Sequence, residues 1–414
     1  MRILNVSDVG VPYPSYLPRF YDRFPDLIHG DYKAHYDAIL HDHFAWAMPF
    51  NHAMGPFGYE VWNVDRGIAA MQRAWARENG HSRSALSRDD IVIAQAKAFS
   101  PDILFYDLSD RQLLRRLRTE VQSIRAVFGW VGSPMTLGKA WGLMDVLLTC
   151  APESVDRLQR MGVRAVHVNH SFNPEITGRL HPSVARIEAS FIGSVVRRNE
   201  FHLGREELLL RFRDKVPLQI YSPSLHVTGR DYLKAAVAAI SYGTIGGLKR
   251  ARVLPRLRWL PIVQRAERIA SPPRLPINRR LAKGMLPAVF GLEYFQVLKD
   301  SRITLNVHAD TSPVYASNMR LFEATGVGSC LLTDWKKNIG ELYQPDAEVV
   351  VYRSAEEAVE KARWLSEHPL EGEEIAVAGA RRTLASHTFH HRAAQIDDII
   401  RDELASHARS GLNN

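Results

Sequence analysis

The chain has 414 residues, 46% of them apolar and 24% charged, which is enough for two domains with separate cores and unlike a disordered, collagenous or membrane-spanning composition. Its net charge of +8 is local: from Lys249 to Lys283 eleven Lys or Arg meet a single acid, Glu267, so this segment carries +10 and the rest of the chain −2. A protein balanced elsewhere, with no recognised reader motif, is not expected to bind nucleic acid.

The first residues, MRILNVSDVG, put one charge, Arg2, ahead of a strand-like run. They lack the long apolar region and cleavage site of a signal peptide, so a cytoplasmic location is expected. RILNV (2–6), DILFYD (102–107), AVFGWVG (126–132) and DVLLTC (145–150) read as buried strands. The last is followed by a helix closed at Gly162 and by the strand AVHVNHS, a βαβ-like unit. Residues 31–80 look helical and hold an aromatic, His-rich patch, HDHFAWAMPFNH, with no assigned role. This alternation predicts a mostly parallel, doubly wound sheet over residues 1–180.

HPSVAR (181–186) reads as a linker, and a second alternating series follows over 187–386. It contains ASFIGS (189–194), an Arg-rich turn and helix, and LQIYS (218–222). An insertion at about 225–285 precedes AVFG, the helix LEYFQVLKDS, ITLNVH, a short helix and SCLLTD. From about Ser354 amphipathic helices take over, and the last, within 387–414, is expected to cross back to the first domain. Two such domains in tandem imply a cleft between them. Cys150 and Cys330 sit near apolar strands in different halves, as small core residues and not as a disulfide or metal pair.

Chemistry concentrates in SNMRLFEATGVGSCLLTD (317–334). Ser317 suits an N-cap and Gly326 a C′ position, giving a helix of about two turns whose positive end at Ser317 and Asn318 attracts anions. Lying between two apolar strands, that end is expected at the carboxyl edge of the sheet, where open α/β sheets bind ligands. Glu323 there can accept hydrogen bonds from a diol such as ribose hydroxyls. If Arg320 and Glu323 were only an exposed i,i+3 ion pair, they would contribute about 0.2–0.5 kcal/mol. In ASFIGS, Gly193 and Ser194 end a strand ahead of Arg197 and Arg198, a pattern that lets backbone N–H groups and guanidinium groups approach phosphate. Asn306 and His308 end the preceding strand and are expected at the cleft mouth, His308 placed to orient the leaving phosphate or the sugar. No D-x-D occurs anywhere, so no metal and no other cofactor is expected.

The run ITLNVH…SNMRLFEATGVGSCLLTD…ELYQPDAEVVVYRSAEEAVEKARWLSEHP…IAVAGARRTLASHTFHHR resembles the C-terminal domain of group 1 glycosyltransferases of the CgeB-like type, which have the two-domain GT-B fold. The likeness covers residues 303–392 and includes ASFIGS. It implies an α/β GT-B protein, with two Rossmann-like domains facing across a cleft, that moves a sugar from a nucleotide-sugar donor to a glycan, lipid-linked or protein acceptor. By the same resemblance Glu323 holds the donor ribose, Gly193, Ser194 and Arg197 or Arg198 lie near the diphosphate, and Asn318 and Arg320 are further contacts. Retaining members of the wider class carry a Glu eight residues before the ribose Glu. Here that position is Tyr315. An inverting enzyme needs a general base in the N-terminal half, for which Asp8, after the first strand, is the first candidate and His43 the second. On this reading Glu323→Ala is expected to weaken donor use with the fold intact.

Within the insertion, AAVAAISYGTIGGL (235–248) is apolar between Lys234 and Lys249 but too short to span a bilayer. RVLPRLRWLPIVQR then mixes arginine with bulky apolar residues, which suits an interfacial segment on anionic lipid or a contact with a polyanionic acceptor. Two other functions fit the same residues. One is an epimerase or hydrolase of the same fold acting on a nucleotide sugar. The other is a non-catalytic peripheral protein that holds polyanions or membranes.

Overall fold

The alternating apolar runs become two six-stranded, wholly parallel sheets in the computed structural model. It describes residues 1–10, 13–43, 47–81, 86–132, 140–183, 187–195, 203–223, 228–257, 259–261, 263–264, 277–308 and 312–411. The first sheet contains β1 (Arg2–Ser7), β2 (Glu60–Asp65), β3 (Ile103–Tyr106), β4 (Ala126–Trp130), β5 (Val146–Thr149) and β6 (Ala165–His167), in the order β2-β1-β3-β4-β5-β6. The second contains β7 (Ile187–Ile192), β8 (Leu218–Ser222), β9 (Met285–Pro287), β10 (Ser301–Asn306), β11 (Cys330–Asp334) and β12 (Val350–Tyr352), in the order β12-β11-β10-β7-β8-β9. These strands read as continuous apolar runs because each sheet is covered on both faces. Alternate residues of one strand enter different cores: Phe191 and Ile303 pack on one side of the second sheet, Ile192 and Leu331 on the other.

One strand departs from the expectation. Residues 60–65, inside the stretch expected to be helical, form β2, paired in parallel with β1 from Arg2↔Glu60 to Ser7↔Asp65. Val61, Trp62 and Val64 favour the pleated surface, and only Asn63 and Val64 are buried, as suits an edge. That register places Asp65 beside the end of β1.

Five helices bear on function: α1 (Tyr16–Arg23), α2 (Gly229–Arg250), α3 (Gly291–Lys299), α4 (Arg320–Gly326) and α5 (Phe389–Gly411). The last of these, α5, puts Ala393, Ile396 and Ile400 into the core of the first sheet, where Asp397 accepts a hydrogen bond from Tyr59 (2.8 Å). The C-terminal segment thus ties the two halves together. Both cysteines are buried free thiols, each pushed up to about 12 by desolvation. Among the described residues no helix is long and apolar enough to cross a membrane.

Candidate functional site

In each sheet the strand order reverses once, between β1 and β3 in the first and between β7 and β10 in the second. The loops after those strands therefore diverge and leave a crevice at the carboxyl edge, the usual ligand site of an open α/β sheet. The two crevices are joined by packing between the halves. Phe290, just before α3, meets the rings of Tyr13 (6.3 Å) and Tyr16 (5.7 Å) from the first half. Arg19 donates to the carbonyl of Ala288, and Ser312 Oγ donates to Glu153 Oε1 (2.9 Å).

Between the halves lies a cavity of about 450 Å³. Tyr13, His43 and the 170–173 segment line it from one side, and Ile192 to Ser194, Tyr221, Tyr294, Arg320 and Glu323 from the other. Four sequence-predicted residues, Gly193, Ser194, Arg320 and Glu323, thus meet on one wall. The Ser194 loop is fixed by Arg205, which donates to the carbonyls of Ser194 (2.9 Å) and Val307 (2.7 Å) across the crevice between β7 and β10.

Glu323 and Arg320 are not the exposed pair that spacing alone allows. Their side chains are 15% and 17% exposed, with Nη1 and Oε2 3.3 Å apart. Glu323 also accepts from the Tyr294 hydroxyl (2.5 Å), and Arg320 donates to Ile192 O (2.8 Å) while its guanidinium lies 4.5 Å from the centre of the Tyr294 ring. Burial pushes the Glu323 carboxyl up and Arg320 opposes it. A carboxylate desolvated on one side and open to a cavity on the other is ready to accept hydrogen bonds from a ligand.

The helix carrying this pair differs from its expected form. It runs from Arg320 to Gly326, Met319 is its N-cap with no side-chain hydrogen bond, and the left-handed residue beyond it is Gly328 (φ +85°), not Gly326. Gly326 instead sits where a Cβ would fall 2.4 Å from the Phe172 ring, and that contact is what its missing side chain permits.

Four other candidates lie off the cavity wall. Asn306 and Asn318 bond each other (2.7 and 3.3 Å), and Asn306 also donates to Thr333 Oγ1 (2.9 Å), so both brace the loop after β10. His308 is buried against Asp334, Nδ1 to Oδ1 2.6 Å. Although burial raises the Asp334 carboxyl, His308 and Lys336 hold it down at about 2. Asp8 caps its own loop, its Oδ1 accepting from Gly10 N (3.1 Å). Arg197 and Arg198 lie outside the described residues. His43 does reach the cavity, its Nδ1 3.2 Å from Asn173 Nδ2, with the imidazole pKa lowered to about 4 by burial and by Arg179. Tyr315 lies under Lys337 (5.7 Å) and is not on the wall.

Sequence reasoning missed Asp107. It follows β3 at the crevice of the first sheet, its N–H bonded to Val6 O (2.9 Å) beside the end of β1. Asp107 is exposed and does not line the cavity. The protein atoms gathered around the carboxyl still desolvate it, and with Asp65 next to it this pushes it to about 7. Asp65 itself is raised to about 6 by burial, against hydrogen bonds from Ser7 and the backbone of Val9 and Gly67. Tyr13, on the cavity wall, feels the charges of Glu323, Arg320 and Asp107 together, so it stands between the two crevices. The signal available in sequence was the final Asp of DILFYD, read only as part of a strand.

Two parallel sheets, each with one reversal, facing across a cavity and bound by a returning C-terminal helix, constitute the GT-B fold. Over nearly its whole length the chain is similar to sucrose-phosphate synthase from Thermosynechococcus elongatus, with TM-score 0.53 and 12% identity over 98% of this chain and 100% of that one. It is likewise similar to HepE from Anabaena in complex with UDP-glucose (TM-score 0.53, 10% identity, 97% and 100% covered) and to a glycosyltransferase from Rickettsia africae (TM-score 0.52, 9% identity, 97% and 98% covered). Residues 269–398 match the family described as Glycosyl transferase-like. No curated protein matches the chain.

Proposed function

We propose that the protein is a glycosyltransferase of the CgeB-like type, moving a sugar from a nucleotide-diphosphate donor to a hydroxyl of a glycan, lipid-linked or protein acceptor without a metal ion. The observation that carries this reading is Glu323, a carboxylate held by Tyr294 and Arg320 on the wall of the interdomain cavity and facing the same space as Gly193 and Ser194. In this reading Glu323 accepts from the ribose diol. The Arg320 guanidinium, on the same wall as Gly193 and Ser194, meets the diphosphate, whose growing charge it neutralises as the bond to the sugar breaks. The 269–398 match and the UDP-glucose complex of HepE support a nucleotide-sugar donor. The same 303–392 motif underlies the subtype. A thermal-shift panel of nucleoside diphosphates and nucleotide sugars tests it: a true donor at 100 times its Kd should add about 2.7 kcal/mol of stability. A panel with no shift for any base would remove the basis of the reading.

With Tyr315 at the position where retaining members carry a Glu, the acceptor proton goes to the first domain and the anomeric centre inverts. Asp107, at the crevice of the first sheet and off the cavity wall, is the group whose pKa matches that task, since a base titrating near 7 is poised at neutral pH, whereas His43, on the wall but near 4, is a weak base. Turnover is expected to rise with pH through an apparent pKa of about 7, and Asp107→Asn to lower it by about 10²–10⁴ with donor affinity kept. A profile rising near 4 would transfer the role to His43, and a product of retained configuration would exclude both.

Stability supplies an independent readout. The Asp107 carboxyl titrates near 3.8 when unfolded and near 7 when folded, so the folded state holds its proton more tightly. The stability this confers is complete below the unfolded value and lost as pH rises through 7. Asp107→Asn should therefore melt closest to the wild type below about pH 4 and increasingly above it as pH rises to about 8. Parallel melting curves at both values would show that the carboxyl is not perturbed.

A further inference from the structure

None of the described residues of the basic insertion lines the cavity, and its first helix is built against the rules for a water-facing element. Helix α2 runs for 22 residues, about 33 Å, capped at Thr228 through a reciprocal hydrogen-bonded box with Asp231. Its C-terminal third packs through Ile245 and Leu248 on Leu254, Leu257 and Val263, a small core separate from both sheets. The rest of the helix presents Leu233, Val237 and Ile240 to solvent, 64%, 55% and 70% exposed, at spacings that put them on one stripe. From Ala235 to Leu248 the helix holds no charged residue at all, so its exposed face, completed by Ala236, Gly243, Thr244 and Gly247, is wholly uncharged. Just past α2, Trp259 is 73% exposed.

Cations frame this face. Arg230 and Lys234 precede the uncharged stretch, and Lys249, Arg250, Arg252 and Arg256 follow it. None of the six makes an ion pair among the described residues. The only acid between residues 229 and 257, Asp231, is engaged in the helix cap. An apolar stripe alone would accept any hydrophobic partner, but this charge pattern selects among them. A second copy of the chain would bring two sets of unpaired cations together, which is unfavourable. A bilayer with anionic headgroups meets both demands: it takes the apolar stripe to the depth of the acyl boundary and lets the flanking Lys and Arg reach the phosphates.

We propose that α2, with residues 251–257 and Trp259 behind it, forms an interfacial anchor that lies flat on an anionic lipid surface. The anchor does not depend on the donor reading, and its test needs no donor. The full-length protein is sedimented with vesicles of phosphatidylcholine alone and of phosphatidylcholine mixed with phosphatidylglycerol, across a salt series. Binding should appear with the anionic vesicles and fall as salt rises. The combined substitution Leu233→Ser, Val237→Ser and Ile240→Ser should lower the partition coefficient by about 100-fold, since each side chain loses the transfer energy of an apolar group. Lys249→Glu with Arg250→Glu should lower it by more than about tenfold. Melting temperatures should stay at the wild-type value in both variants, because these side chains touch little else. Absence of sedimentation with anionic vesicles, or binding indifferent to both variants, would overturn the proposal. A lipid-free dimer that the serine variant dissociates would overturn it too, by showing that a second copy covers the stripe.

Discussion

Replacing Glu323 by Ala should both weaken donor binding by about 100-fold or more and destabilise the protein, and the two effects should be separable. Sequence alone implies a donor defect in an intact fold, because an i,i+3 pair on a helix surface is cheap to break. The structure makes the pair a partly buried one. Removing the carboxylate strands Arg320 in a desolvated site where, among the described residues, the Ile192 carbonyl and the Tyr294 ring remain as partners. Breaking a buried pair from one side typically costs about 3–5 kcal/mol, and the two surviving partners should place this case near the lower end. Replacing both members, Arg320→Met with Glu323→Leu, removes the stranded charge and should recover most of that loss, as apolar replacements of buried pairs often do. Donor affinity should not recover, because the hydrogen bonds that the ligand donates to the Glu323 carboxylate, each about 1.5–3 kcal/mol, and the Arg320 contact are still absent. Calorimetric titration with the donor found by thermal shift would then show a Kd raised about 100-fold or more in a stable protein. A stable double variant that binds donor like the wild type would show that neither Glu323 nor Arg320 contacts the donor.

Much of this site was legible because its chemistry is local in sequence. Glu323 follows Arg320 by three residues on a helix between two apolar strands, and Gly193 and Ser194 end a strand, so edge position follows from alternation alone. What failed to read through was what depends on strand order. Asp107 matters because β3 lies next to β1 and opens a crevice there, and no pattern within DILFYD reports its neighbours. Residues 60–65 were read as helix because an edge strand of six residues between helices shows little periodicity; their pairing with β1 decides their state. Asn306, Asn318 and His308 were placed at the correct edge, but whether a side chain there turns to the cavity or to its neighbours is settled by packing. Thr333 and Asp334, on the adjacent strand β11, turn Asn306 and His308 inward.

The cavity exists only while the halves stay in register, and one backbone position tests that directly. Gly291, at the start of α3, has φ +58°, and a Cβ there would lie 2.6 Å from the backbone oxygen of Asp42 and 2.4 Å from its carboxylate. Asp42 cannot easily withdraw, since it is buried and bonded to the Tyr16 hydroxyl (3.0 Å) and to Arg23. Gly291→Ala should therefore carry two penalties, about 1–2 kcal/mol for a left-handed Ala and about 1–3 kcal/mol for overpacking. Gly284, with φ +90° and no atom near its missing Cβ, isolates the first penalty. The expected result is a loss of stability clearly larger for Gly291→Ala than for Gly284→Ala. Gly291→Ala should also weaken donor binding, because Phe290 and Gly291 line the cavity and move with the strain. A displacement of about 1 Å at a site that positions reactants costs up to about 10²-fold in rate, so turnover should fall further than stability alone explains. Equal losses in the two variants would mean that Asp42 does not press on α3 in solution, and the cavity wall would then have to be held by the Phe290 aromatic contacts instead.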